Sequence, residues 1–356
     1  MLPTLYPPAS NQELLRRAEA LYPDSLWTAD HLLGFSHPEL WAESPGSAFA
    51  DDPDSWLDPF CMLSVFATQT ELPLGIGVTD STRRRAPDVA RTALTLQHLC
   101  RGGFNLGIGS GEAESLVPFG YPFDKPVGRC EEFLVELRCL LDTGRMPDGG
   151  SGRIGTPLES EQGKPKVWVG GHGPRMLRLT GQYGDGWLPA WKMAPEVYAE
   201  RRAVIARHAQ AAGRPPPECG LIAGIVLGES RDQMAELFER DPIAKLVGLF
   251  IEGHMWQHRG VEHPLGPESR GLVDVVVHDL DANELRELAP KIPFELLADY
   301  YFMGSAEEVL PQLAAYADAG LEHLVLGTFN GLVGGQAEIE RFWEELARLR
   351  KLLAEV

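Results

Sequence analysis

Residues 72–112 read LPLGIGVTDSTRRRAPDVARTALTLQHLCRGGFNLGIGSGE. Leu72 to Thr79 is a short run of apolar and small residues, the pattern of a strand buried on both faces. Pro87 opens a helix, since its missing N–H costs nothing in the first turn. Val89, Ala93, Leu96 and Cys100 then recur three or four apart and give that helix one buried face. Phe104 to Ile108 is the next strand. Strand, helix and strand in this order form a βαβ unit, with parallel strands and a right-handed crossover.

The same rhythm extends outward. Upstream, Ser10 and Glu13 read as a capping box opening a helix to about Leu21, and Ser25 to Ala29 follow as a short strand. Downstream, Val127, Cys130, Leu134, Leu137 and Leu141 mark one face of a long helix. Strands at 166–169 and 186–188 flank a helix from Pro174 to Tyr183. A helix near 196–211, a strand at 220–227 and a helix near 231–250 come next. A capping box at Ser305 and Glu308 opens another helix, followed by a strand at 324–326 and a terminal helix to about Leu353. Seven or eight such units predict a single-domain (β/α)8 TIM barrel over residues 1–356 rather than an open doubly wound sheet. Stretches 34–57, 143–164 and 251–282, rich in Gly, Pro, Asp and Trp, break the rhythm. They read as loops inserted at the C-terminal face, where function concentrates.

Acidic residues number 51 against 32 basic, a net charge of −19. Such a field repels phosphate backbones and anionic membranes, so neither nucleic acid nor a membrane surface is an expected partner. The five cysteines, Cys61, Cys100, Cys130, Cys139 and Cys219, are odd in number and contain no C-x-x-C. Reduced thiols and a cytoplasmic location are expected. No apolar stretch approaches the roughly 20 residues of a membrane span, and Met1 to Pro8 lacks the pattern of a signal peptide.

Four constellations can carry chemistry. Asp30-His31 sits directly after a strand, on the barrel face where active sites are built. A carboxylate beside an imidazole supplies an anchor and a proton donor near neutral pH; the plain alternative is a helix cap with a surface histidine. Leu106-Gly-Ile-Gly-Ser-Gly-Glu112 runs from a strand into a glycine turn, but its spacing departs from the dinucleotide fingerprint G-x-G-x-x-G. Glu112 is either a site residue or a helix cap. Val169-Gly-Gly-His-Gly-Pro-Arg-Met176 joins a strand to a helix start, and with Arg175 it forms a candidate phosphate cradle. Arg83-Arg84-Arg85 could serve the same anion or form a solvated run. His254, His258 and His263 are spaced four and then five apart without a zinc motif, so no metal site is expected there.

Together, Asp24-Ser-Leu-Trp-Thr-Ala-Asp-His-Leu32, Gly77-Val-Thr-Asp80, Leu106 to Glu112 and Trp168 to Met176 resemble the luciferase-like flavin and deazaflavin oxidoreductases. Phe119-Gly, Lys125-Pro-Val and Arg259-Gly-Val-Glu-His-Pro-Leu-Gly266 resemble the F420-dependent phthiodiolone ketoreductase-like branch. The resemblance is strong over 24–189, clear over 256–277 and 303–327, and only patterned over 195–250. It implies a barrel with coenzyme F420 across its C-terminal face, or FMN in the alternative. Asp30 would bond that cofactor and His31 would be the proton donor, with Glu112 as acid/base partner. Gly77-Val78 occupies the place of the family's non-prolyl cis peptide behind the ring, and Thr79 and Asp80 continue that contact. Ser110, Gly111 and Ser115 would flank the ring. Gly171, His172, Gly173, Arg175 and Met176 would take the phosphate of the cofactor tail.

The expected function is hydride exchange between reduced F420 and a ketone or secondary alcohol, with an apolar small-molecule substrate and a possible homodimer. The rival readings are an FMN-dependent monooxygenase and a non-catalytic cofactor-binding barrel subunit. In one respect the chain departs from the family. An apolar first strand precedes the segment matching Leu2-Pro-Thr-Leu in family members, whereas here Met1 alone precedes it. The expectation is a gap between the strand at 25–29 and that at 324–326, or another segment filling it.

Overall fold

The computed structural model describes residues 1–147, 149 and 151–355. Asp148 and Gly150, inside the 143–164 stretch, lie outside the described residues. Eight strands form one parallel sheet: β1 (Leu26–Thr28), β2 (Leu74–Asp80), β3 (Phe104–Gly109), β4 (Lys166–Val169), β5 (Gly186–Trp187), β6 (Glu218–Leu227), β7 (Phe302–Gly304) and β8 (His323–Thr328). Helices Ala86–Leu99, Pro126–Thr143, Pro174–Tyr183 and Pro195–Ala211 supply the crossovers. Each carries a proline in its first turn, where the fixed φ of the ring suits the helix. The predicted (β/α)8 class is therefore present.

β6 is the organising strand. Its start pairs with β5, residues 220–225 pair with β8, and residues 225–227 pair with β7. β7 therefore adds to β6 beyond the end of β5. The barrel wall itself runs from β1 through β6 to β8. Where a stave between β1 and β8 would stand, Met1 and Leu2 bridge the top of the seam. The Leu2 N–H donates to Trp27 O at 2.7 Å, and the Met1 amino group donates to Leu326 O at 2.5 Å. The gap expected from the sequence is thus bridged by Met1 and Leu2, and Ser25 Oγ also crosses it to lie 3.2 Å from His323 Nε2. Inside the barrel, Trp27, Trp168, Leu188 and Val325 form a buried cluster against which Met1, Val78 and Ile222 pack.

Two local expectations change. The first helix spans Pro8–Glu19 with no side-chain cap, because Pro7-Pro8 starts it ahead of Ser10. The helices Arg231–Arg240 and Pro242–Phe250 do not cover a barrel strand alone. Phe238, Leu249 and Phe250 share a buried core with Val275, Leu285 and Leu297, so the segment between β6 and β7 is one packed cap over the barrel mouth. The 34–57 segment, with short 3-10 helices Pro38–Glu43 and Pro45–Ala48, is tied to that cap. His278 Nε2 lies 2.8 Å from Asp54 Oδ2, and Arg286 donates to Glu43 at 2.7 Å.

Candidate active site

The C-terminal ends of β1, β2, β3 and β4 meet at one cavity of about 1790 Å³, which continues into the seam between β1 and β8. Asp30 leaves β1 buried. Its Oδ2 accepts from Thr79 Oγ1 at 2.6 Å and Arg84 Nη1 at 2.7 Å and forms an ion pair with Arg83 Nη2 at 2.9 Å. Asp80 accepts from the N–H groups of Thr82 and Arg83 at 2.7 Å each and pairs with the Arg83 guanidinium. Arg84 reaches Asp58 as well, at 2.7 Å. Arg83 and Arg84 are therefore neither a solvated run nor a free anion site. They are held by three carboxylates, Asp30 and Asp80 buried and Asp58 half exposed, in a network that ties the loops after β1 and β2 to each other.

His31 stands beside this network, its ring 4.6 Å from Phe35 and 5.2 Å from Trp56. Nδ1 lies 2.7 Å from Glu114 Oε1 and 3.9 Å from Glu112 Oε2. Nε2 has no protein partner among the described residues. Glu114 is only 1% exposed, and its Oε2 is buried without a partner. Burial alone would depress the His31 pKa. The charge and hydrogen bond of Glu114, then the charges of Glu112 and Asp30, outweigh it and raise the value above the ordinary imidazole range. Desolvation pushes Glu112 up to about 7, with Glu114 and Asp80 adding to the rise and His31 and Arg83 opposing it.

Sequence reading missed Glu114. The loop after β3 closes into the short helix Ala113–Leu116, which turns Glu114 and Ser115 inward; Ser115 Oγ accepts from the Leu32 N–H at 3.3 Å. Gly111 makes the turn possible, with φ +92° and space for a Cβ only 2.7 Å from Leu116. A carboxylate two residues past Glu112 was the available signal, but nothing in its spacing marks it as buried. Donor atoms of His31, Glu112 and Glu114 all lie within 4.8 Å of one another. The direct 2.7 Å His31–Glu114 contact is the distance of a charge-assisted hydrogen bond, which a bridging cation would separate.

The remaining predicted residues divide. Gly77, Val78, Thr79, Asp80, Ser110 and Gly111 line the cavity, as do Ser115, Gly171 and His172. The Gly77–Val78 peptide is cis, and the β2–β3 register shifts there. Gly173, Arg175 and Met176 are not part of the lining. Met176 is buried, packed where a Gly171 Cβ would stand, and the 59%-exposed Arg175 side chain pairs with Glu131 at 3.2 Å. A cation that does line the cavity near this end is Arg201, whose Nη1 donates to His172 Nδ1 at 2.9 Å. His172 is solvent-exposed; desolvation by the surrounding wall, then the Arg201 charge, shifts its pKa downward. Arg201 comes from the helix Pro195–Ala211, outside every glycine motif, which is why no motif marks it.

The opposite wall is aromatic. Trp191 stacks on Tyr300 at 5.3 Å and contacts Phe329 at 5.4 Å. Trp191 holds a left-handed φ of +73°, with its N–H bonded to Ile222 O at 2.9 Å. The indole N–H groups of Trp56 and Trp191 are buried without partners among the described residues. The histidines of the 254–263 segment do not converge: His263 is buried between Leu249 O and the Leu265 N–H, while His254 and His258 are exposed.

The chain matches the family model described as luciferase-like monooxygenase over residues 3–323. It is 34% identical over 342 residues to the phthiodiolone/phenolphthiodiolone dimycocerosates ketoreductase of Mycobacterium tuberculosis, covering 91% of this chain and 88% of that protein. The Mycobacterium kansasii protein of the same name is also 34% identical, with 85% and 86% covered. Among solved structures, an F420-dependent secondary alcohol dehydrogenase in complex with an F420-acetone adduct superposes with a TM-score of 0.68 at 19% identity, covering 97% of this chain and 96% of that one. The coenzyme F420-dependent tetrahydromethanopterin reductase of Methanopyrus kandleri gives 0.70 at 17% identity with the same coverage. No helix among the described residues is long and apolar enough to cross a membrane. A parallel barrel with its loops gathered around the Asp30–His31 corner, matched over nearly its whole length, makes this chain a member of the luciferase-like monooxygenase family.

Proposed function

We propose that the chain is an F420-dependent oxidoreductase acting between a carbonyl compound and the matching secondary alcohol. One observation carries the reading: the His31 imidazole, held at Nδ1 and free at Nε2, lines a cavity whose wall also includes the glycines in and just after β2, β3 and β4. Gly77, Gly109, Gly111, Gly170 and Gly171 lie in that wall, which suits a flat ring. Arg201, beside His172, suits an anionic tail at the β4 end. When bound, F420 supplies a two-electron hydride centre. Asp30 and Thr79 would hold it from the β1–β2 side. His31 Nε2 would give its proton to the carbonyl oxygen as the carbonyl carbon takes the hydride, and would take that proton back in the reverse direction. Trp191, Tyr300, Phe329 and Phe35 would exclude water and bind an apolar substrate body.

The experiment is anaerobic oxidation of reduced F420 by an apolar ketone, followed by absorbance, with an oxygen electrode as control. Ketone-dependent turnover without oxygen uptake supports the reading. Oxygen uptake with reduced FMN, and none of the ketone reaction, would instead support a monooxygenase.

A further inference from the structure

We propose that Glu114 is the positioning residue of this site: it fixes His31 in the orientation and tautomer that aim Nε2–H at the substrate oxygen. The inference rests on the reading of His31 as proton donor. Its geometry is independent of any cofactor. Glu114 reaches Nδ1 at 2.7 Å from a helical turn anchored to the His31 loop by the Ser115–Leu32 bond. A carboxylate accepts only, so Nδ1 must carry a proton whether the ring is neutral or charged, and the exchangeable proton is the one on Nε2. The other Glu114 oxygen is buried and has no partner among the described residues. A buried carboxylate with one bond is a costly way to fill space, so its value lies in that bond.

Glu112 cannot take this part. At 3.9 Å from Nδ1 it is beyond hydrogen-bond distance, and desolvation shifts its carboxyl toward the neutral form. The groups acting on His31 are Glu114 and Glu112 from the loop after β3 and Asp30 from its own loop; Asp80 and Arg83 act on Glu112 from behind. Phe35 and Trp56 flank the ring with no charge. Of the charged groups only Glu114 is within hydrogen-bond distance of it. Glu114→Gln keeps an acceptor of the same shape and removes the charge; Glu114→Ala removes both.

The test is 15N NMR of the histidine rings, in cofactor-free wild type and in both variants, beside kcat as a function of pH. In the wild type, His31 is expected as the Nδ1–H tautomer with a midpoint above 6.5, a result that needs no variant to fold. In Glu114→Gln the tautomer should persist, the midpoint should fall by about one pH unit or more, and the alkaline limb of kcat should move with it. KM and cofactor affinity should stay within a few-fold. In Glu114→Ala the tautomer should become mixed. A wild-type Nε2–H tautomer, or an unmoved midpoint in Glu114→Gln, overturns the role of Glu114 and leaves the proposed function standing. A moved midpoint with an unmoved kcat limb overturns His31 as donor, and with it the catalytic meaning given to Glu114.

Discussion

His31 Nδ1 and Glu114 Oε1 lie 2.7 Å apart, closing the loop after β1 onto the loop after β3. The contact gives the ring one committed and one free nitrogen. In the proposed reading the cofactor site and the proton site are separable: Asp30 and Thr79 would belong to the first and His31 to the second.

Replacing His31 by Ala should leave cofactor affinity within a few-fold and lower turnover by about 10²–10⁴, the worth of a positioned general acid. Turnover retained at saturating substrate would move the donor elsewhere, with Glu112 next in line.

The two reaction directions should respond oppositely to pH. Carbonyl reduction needs the protonated ring, so its rate should fall as pH rises through the elevated His31 value. Alcohol oxidation needs a free Nε2 lone pair and should rise through the same midpoint. Parallel profiles in both directions would contradict His31 as the shared group.

Stability should carry a signature of Glu112. Its folded pKa of about 7 is above the unfolded carboxyl value of 4.5, so the folded chain binds that proton more tightly. The stabilisation is complete below 4.5 and is lost as pH rises to about 7, an effect of order 1–3 kcal/mol. The His31 contribution, with a raised pKa, is present below 6.5 and is lost in the same direction. Glu112→Gln should therefore flatten the fall in melting temperature between pH 5 and 8, and a wild-type-like slope in the variant would refute this.

Charge reversal should separate the two arginines near the tail site. Arg201→Glu should weaken cofactor binding by roughly 1.5–3 kcal/mol, the worth of a charge-assisted hydrogen bond, with repulsion added. Arg175→Glu places a carboxylate beside Glu131 outside the cavity and should cost little affinity. The reverse ranking in a binding titration would return the tail to Arg175.

Strands were legible wherever apolar runs end in glycine turns, as at 74–80 and 104–109, and the Ser305/Glu308 capping box forms as read. The Asp30–His31 corner was legible from its place after a strand. Glu114 was not, since burial of a carboxylate leaves no periodic trace. Nor were the partners of Arg83 and Arg84: Asp30 and Asp58 lie 54 and 26 residues from Arg84, and only folding brings them together. The cap between β6 and β7 was hidden because its helices repeat apolar residues as barrel helices do. Phe238 and Leu297, 59 positions apart, reveal a separate core only in space.

Absorbance titration of the purified chain with F420 and, separately, with FMN tests the central claim most directly. Saturable binding of F420, weakened by Arg201→Glu and nearly untouched by His31→Ala, is the predicted result. Tight FMN binding with no binding of F420 would contradict it.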